Sequence, residues 1–247
     1  MKMLKLVSLL SIIGMFSISS WAKTKLIYEI ETARDLAEIG KSLPLDGNYK
    51  LINDIDLKEE GFENWEPIYK FTGKLNGLSH TISNLKVEKT GNSVGLFGNI
   101  QAPAEISNLT LINVDVTGAG ENSTFVGGLI GLQCCQTSIE NCHVIGGTVK
   151  GKSRIGGLVG HQDQKRDTLN SNEPAGLQCY ATIIKNCSTV YVNVSGSYEE
   201  GDYGYSGGLV GSQQHNTMIV NSFATGGKVS GHKMIGGLVG KSVGASN

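Results

Sequence analysis

Few residues in this chain have the types and spacing to do chemistry. Five cysteines fall on two copies of one pattern. Gly131-Leu132-Gln133-Cys134 leads to Ile139-Glu140-Asn141-Cys142, and Gly176-Leu177-Gln178-Cys179 leads to Ile184-Lys185-Asn186-Cys187, with identical internal spacing. If the copies stack as parallel strands, equivalent Cα atoms stand about 4.8 Å apart, within disulfide reach. Cys134 with Cys179 and Cys142 with Cys187 are then candidate cross-rung bridges, and Cys135 is left over. A buried column of small apolar thiols is the alternative. No C-x-x-C pair exists and the five histidines do not pair with the cysteines at zinc spacing, so neither a metal nor a cofactor is expected.

The acids come next. Tyr198, Glu199, Glu200, Asp202, Tyr203 and Tyr205 lie together, and this mixture suits a sugar: flat rings for stacking and carboxylates that accept from hydroxyls. They are the candidate ligand-binding residues. Glycoside hydrolysis needs two carboxylates about 5–10 Å apart. The close acidic pairs are Asp54 with Asp56, Glu59 with Glu60, Asp163 with Asp167 and Glu200 with Asp202, and none recurs from repeat to repeat. None of His80, His143, His161, His215 or His232 is followed by glutamate, which excludes a His-Glu-x-x-His metallopeptidase site, and there is no G-x-S-x-G. A calcium loop of the EF-hand type fails too, since Asp54, Asp56, Glu59 and Glu60 lack its glycine and terminal glutamate. No catalytic residue is identified.

The elements that position these residues are announced by glycine. There are 34 in 247 residues but only four prolines, and no strict three-residue period, so the chain is neither collagen-like nor a Pro/Gly-rich disordered tract. Fourteen of the 34 lie in five boxes: Val94-Gly95-Leu96-Phe97-Gly98, Val126-Gly127-Gly128-Leu129-Ile130-Gly131, Ile155-Gly156-Gly157-Leu158-Val159-Gly160, Ser206-Gly207-Gly208-Leu209-Val210-Gly211 and Ile235-Gly236-Gly237-Leu238-Val239-Gly240. Their Gly-Leu pairs are separated by 33, 29, 51 and 29 residues, and Ile139 to Gly160 matches Ile219 to Gly240 at 12 of 22 positions without a gap. Between the boxes runs an Ile-x-Asn element, at Ile82-Ser83-Asn84, Ile106-Ser107-Asn108, Ile139-Glu140-Asn141, Ile184-Lys185-Asn186 and Ile219-Val220-Asn221.

Three short strands per unit are expected: Ile-x-Asn-x-x-Val, Gly-x-Val-x-Gly, and the box. Such pieces cannot bury an apolar face alone, but stacked units lay each strand on its copy. The fold class expected is therefore all-β, a parallel β-helix (β-solenoid) of about five to six rungs, with glycines at corners or close approaches and the asparagines stacked in a ladder. Thr32-Ala33-Arg34-Asp35 starts a short helix that caps the first rung, with Leu36, Ile39 and Leu43 on its apolar side. The divisions are 1–22 signal peptide, 23–50 cap with the short helix, 51–240 solenoid and 241–247 tail. The 51-residue interval carries insertions near 161–180 and 197–205, where a solenoid places binding loops.

Lys2 and Lys5, the apolar run Leu6 to Ile18 and Ser20-Trp21-Ala22 have the layout of a secretory leader, and no later stretch reaches the length of a transmembrane segment. Export to the periplasm, cell surface or medium is expected. With 21 basic and 22 acidic residues the net charge is -1, and no basic patch favours nucleic acid.

The boxes, together with Asn53-Asp54-Ile55-Asp56-Leu57, Trp65-Glu66-Pro67-Ile68 and Phe71-Thr72-Gly73-Lys74-Leu75-Asn76-Gly77, resemble the GLUG-motif repeat family over about Ile30 to Gly240. Members are mostly large exported bacterial surface proteins, adhesin-like molecules and non-catalytic regions of immunoglobulin A-specific metallopeptidases. The resemblance implies an exported, non-catalytic, adhesin-like binding or structural module and supplies no catalytic residue. Its partner would be a host or cell-surface glycan or protein. From the repeat pattern itself, the last rung is expected to be exposed, to be covered by a partner at the C-terminal solenoid edge, or to belong to a truncated version of something longer. The alternative is a polysaccharide-binding or polysaccharide-degrading β-helix, a lyase or glycosidase.

Overall fold

A computed structural model describes residues 26–58, 61–120, 125–163, 181–197, 204–214 and 216–244. Three parallel sheets run side by side along one axis. The first stacks Ile27–Ile30, Asn48–Leu51, Lys74–Asn76, Glu105–Gly118, Ser138–Gly151, Thr182–Lys185 and Thr217–Val220 in order. Ser188–Gly196, Phe223–Thr225 and Val229–Ser230 extend its later levels. The second stacks Ser93–Val94, Phe125–Gly127, Arg154–Gly156, Tyr205–Gly207 and Met234–Gly236. The third stacks Phe97–Ile100, Ile130–Gln133, Val159–Gln162, Val210–Gln214 and Val239–Val243. This is the parallel β-helix expected from the repeats. Five successive turns have all three sides, and the first sheet begins earlier, at Ile27, inside the segment expected as the cap.

Register explains why period-2 apolar residues build a core. Tyr28, Tyr49, Leu75, Ile106, Ile139, Ile184 and Ile219 form one column. Val87, Val116, Val149, Val194 and Val229 form another. Ile106, Ile139 and Ile184 are buried, and each such side chain contributes roughly 1.5–3 kcal/mol on leaving water. No unit could gain this alone, because the rungs above and below supply the cover.

The partition into strands differs from the one read in the sequence. Ile-x-Asn and Gly-x-Val-x-Gly join into single 14-residue strands, Glu105–Gly118 and Ser138–Gly151, while each box splits into two strands on different sheets. The long strand turns its corners at two columns of left-handed residues. One is Asn108, Asn141, Asn186 and Asn221, with φ of 53°, 52°, 52° and 48°. The other is Asn84, Asn113, Gly146, Tyr191 and Gly226. Asparagine tolerates this region better than other side chains with a Cβ, so the turn is made without breaking the ladder.

The asparagine ladder expected at the Ile-x-Asn position is present at Asn108, Asn141 and Asn186, but Asn84 stands in the other corner column and Asn76 lies below Asn108 instead. Asn108 Nδ2 donates to Asn76 Oδ1 at 3.0 Å, Asn141 Nδ2 to Asn108 Oδ1 at 3.0 Å, and Asn186 Nδ2 to Asn141 Oδ1 at 3.1 Å. A second, shorter ladder links Asn113 to Asn84 at 2.8 Å and Asn84 to Asp56 at 2.7 Å. The box glycines serve close approach rather than backbone reversal. A Cβ on Gly156 would meet the carbonyl oxygen of Val159, the nitrogen of Gly211 at 2.7 Å and the oxygen of Leu209 at 2.8 Å. Nothing larger than hydrogen lets the second and third sheets pack backbone to backbone.

The helix Ala33–Ala37 closes the first turn. Thr32 Oγ1 accepts from the Asp35 amide at 3.2 Å and the Asp35 carboxylate accepts from the Thr32 amide at 3.0 Å, a reciprocal cap. Ala33, Leu36 and Ile39 are buried in the same core as Leu51 and Trp65. At the other end, the edge of the last described rung is open: Ile235 is 51% exposed where its counterpart Ile155 is fully buried, and Leu238 is 37% exposed where Leu158 is fully buried.

Cys142 and Cys187 carry free thiols, so the bridge expected between them is not formed in this structure; Cys179, and with it the expected pairing of Cys134, lies outside the described residues. Cys142 and Cys187 do stand in adjacent rungs. The Cys142 amide points at Cys187 Sγ, 3.4 Å away, and the two thiols donate to carbonyls of Glu140 (3.4 Å) and Lys185 (3.2 Å). Packing and local hydrogen bonding satisfy them as a buried column. Burial pushes the Cys142 thiol well above its ordinary pKa.

Candidate functional site

Residues that flank the boxes build the site. The position just before each box runs Ser93, Phe125, Arg154, Tyr205 and Met234 up the second sheet. The position just after the third-sheet glycine runs Asn99, Leu132, His161, Ser212 and Lys241. Between them the boxes barely change, so the frame is constant while this stripe differs at every rung.

Because glycines bring the two sheets together, the two columns interlock with a one-rung stagger. Phe125 stacks on the His161 ring at 5.0 Å between centroids. The Arg154 guanidinium lies 5.0 Å from the Phe125 ring centre and 6.0 Å from that of Tyr205. Lys241 Nζ stands 4.6 Å over the Tyr205 ring and donates to its hydroxyl at 3.0 Å. Rings and cations thus alternate along the stripe, each contact favourable by about 0.5–1 kcal/mol or more as it is drawn from water. Both insertions join the solenoid here. His161-Gln162-Asp163 leads into residues 164–180, and residues 198–203 lead into Gly204 and Tyr205.

Of the candidate binding residues, only Tyr205 is within the described part. It is buried, at 5% exposure, with its ring engaged by Lys241, so it anchors the stripe instead of presenting a face to a ligand. Tyr198, Glu199, Glu200, Asp202 and Tyr203 lie outside the described residues. Arg154, Phe125, His161, Ser212 and Lys241 were missed by the sequence reading. Aligning the units on their boxes and looking at the flanking position that varies would have found them.

His161, Ser212 and Asp163 have the composition of a hydrolase triad. Ser212 Oγ is 2.7 Å from His161 Nδ1, and Asp163 Oδ2 is 3.7 Å from His161 Nε2. The chemistry does not follow. Nδ1 also lies 3.1 Å from the Ser212 carbonyl oxygen, and a nitrogen donating to that carbonyl cannot take the serine proton. Ser212 is fully buried, out of reach of a substrate. The trio ties rungs together.

Asp54 and Asp56, the acidic pair on one strand face, are structural as well. Asp54 Oδ1 accepts from the Thr81 amide at 2.7 Å and pairs with His80 Nδ1 at 3.3 Å. Asp56 Oδ1 accepts from Asn84 Nδ2 at 2.7 Å and the Lys58 amide at 3.0 Å. These hydrogen bonds hold both carboxyls below the usual range, the wrong direction for a general acid. Glu59, Glu60, Asp167, Glu200 and Asp202 lie outside the described residues. Among the described residues, no three His, Cys, Asp or Glu side chains gather in a metal-binding arrangement, and no helix is long and apolar enough to cross a membrane.

No family model matches the chain. It is similar to halomucin of Haloquadratum walsbyi, at 38% identity over 146 residues, 54% of this chain and 2% of that protein. A protein of Evansella cellulosilytica named as a Gly-rich membrane protein is 35% identical over 112 residues, 42% of this chain and 13% of that one. An immunoglobulin A1 protease of Streptococcus sanguinis is 34% identical over 134 residues, 51% of this chain and 6% of the protease. The chain therefore spans only a small part of the length of each of these relatives. Among solved structures, a Bacteroides ovatus protein named as an immunoglobulin A1 protease superposes with a TM-score of 0.66 and 23% identity, over 87% of this chain and 61% of that one. That likeness is one of fold.

Proposed function

We propose that this chain is an exported, non-catalytic repeat protein of the GLUG-motif kind, an adhesin-like module that holds a rigid β-helix at the cell surface or in the medium. The observation that carries this reading is a frame of near-constant boxes with both insertions joined to one side of it, footed on the flanking stripe in which His161, Tyr205 and Ser212 are buried. A recognition protein needs such a division, because specificity then changes without altering the fold. Met1 to Ala22 would direct export, and the similarity to segments of halomucin and of an immunoglobulin A1 protease supports a surface role.

The partner would be a host or cell-surface glycan or protein, met by Tyr198, Glu199, Glu200, Asp202 and Tyr203 with Tyr205 as their buried anchor. A second partner would cover the open edge of the last described rung. In an oxidising compartment, exchange with a small-molecule disulfide, which takes up the two protons and two electrons, would close a cross-rung bridge between Cys142 and Cys187, and a second between Cys134 and Cys179. Non-reducing peptide mapping of exported protein tests both. The main reading is tested on an array of glycans and surface proteins, with incubation of the polysaccharide hits. Saturable binding without new sugar ends is expected; release of new ends would overturn the non-catalytic reading.

A further inference from the structure

Beside the capping helix, far along the sequence from the insertions, is a cavity of about 290 Å³. This lies near the lower end of small-molecule sites. Its walls include Leu45, Phe62, Trp65, Pro67 and Tyr69, and its polar groups include Lys41 and Glu66. The aromatic walls are fixed. Trp65 is buried with its Nε1 donating to the Leu96 carbonyl at 3.1 Å, so it backs the wall and leaves Phe62 and Tyr69 as the rings a ligand can meet. Phe62 packs against it at 6.0 Å between centroids, and the Tyr69 ring lies on the backbone of Gly98, where even one Cβ would collide with it. Burial, then the nearby Glu66 charge, raise the Tyr69 pKa, so its hydroxyl remains protonated at neutral pH and able to donate or accept.

The polar groups and the rings decide the ligand class. Lys41 makes no ion pair among the described residues, and the Glu66 carboxylate is paired with Lys89. Glu66 is neutralised within its own pair and the Lys41 ammonium is left as a donor at the cavity, so the hydrogen-bonding groups and the rings, not the charge balance, select the ligand. Rings, a hydroxyl, an ammonium donor and a carboxylate acceptor match a neutral polyol with an apolar face. We propose that this cavity is a saccharide subsite that takes one neutral pyranose ring, its C–H face on the aromatic wall and its hydroxyls on Lys41, Glu66 and Tyr69.

The test uses the full chain carrying Trp21→Phe, which leaves Trp65 as its single tryptophan. The probes are the methyl pyranosides of glucose, galactose, mannose and N-acetylglucosamine, read by Trp65 fluorescence and by saturation-transfer NMR. At least one should shift the emission saturably, with a Kd on the order of 1 mM. Phe62→Ala should weaken it about tenfold or more. Lys41→Met, at an exposed position, should weaken it about fivefold, the value of one hydrogen bond, without changing the melting temperature. Tyr205→Ala, at the stripe, should leave it unchanged, so this site and the stripe can fail separately. No saturable response to any of the four glycosides, or a response indifferent to both Phe62→Ala and Lys41→Met, would overturn the proposal. So would 3-phenylpropionate displacing the sugar while itself binding tighter by tenfold, since that would assign the cavity to apolar acids.

Discussion

Replacing Asn141 by alanine removes two things at once. Its amide donates to Asn108 at 3.0 Å and accepts from Asn186 at 3.1 Å, and its backbone sits at φ 52°. Two partly buried hydrogen bonds are together worth about 1–3 kcal/mol. Holding alanine in the left-handed region costs about another 1–2 kcal/mol. Asn141→Ala should therefore destabilise by about 2–5 kcal/mol. Asn141→Gly also loses both bonds but enters the left-handed region without strain, so it should be about 1 kcal/mol less destabilising than alanine. Equilibrium urea unfolding followed by circular dichroism measures both, with the slope unchanged if only stability has moved. If alanine costs under about 0.5 kcal/mol, or glycine is no better than alanine, the ladder does not hold the corner in the way described.

The remaining predictions concern packing, pH and thiols. Gly156→Ala, which drives a Cβ into the backbone of the next sheet, should destabilise by at least about 1–3 kcal/mol, whereas Gly237→Ala, with nothing within 4 Å, should cost under about 0.5 kcal/mol; paired thermal melts decide. Burial lowers the His143 pKa from 6.5, so the unfolded chain takes up this proton first. Its contribution is therefore complete above that value and declines as the pH falls below it. His143→Gln should flatten this part of the stability profile. Asp54 and Asp56 shift downward, so their contribution holds until the pH falls below 3.8, and Asp56→Asn should reduce the acid-induced loss there. In reduced protein, Cys142 and Cys187 should resist a thiol reagent until urea is added, as both are fully buried; rapid native-state labelling would contradict the column.

The sequence announced the axis of this fold better than its cross-section. The box spacing, the Ile-x-Asn ladder and the Thr32 cap are local or strictly periodic signals, and all three appear in the structure. Where strands begin and end was less legible. The joining of Ile-x-Asn to Gly-x-Val-x-Gly depends on left-handed corners, and one of these is filled by Tyr191, which no propensity would nominate. The contacts of Phe125 with His161 and of Tyr205 with Lys241 were hidden because they pair different rungs across two sheets, an offset set by how closely the glycines pack. Tyr205 was read as a ligand contact because composition cannot distinguish a ring that greets solvent from one that closes over a lysine.

For recognition proposed at the insertion-bearing side of the solenoid, the most direct measurement compares two variants on the same array of glycans and surface proteins. One carries Tyr198→Ala and Tyr203→Ala, with the buried Tyr205 kept; the other carries Asp115→Ala and Lys150→Ala, both exposed on the first sheet. Loss of binding by at least about tenfold in the tyrosine variant, with the first-sheet variant like the wild type, is the predicted result. Equal binding by both variants, or loss confined to the first-sheet variant, would contradict it.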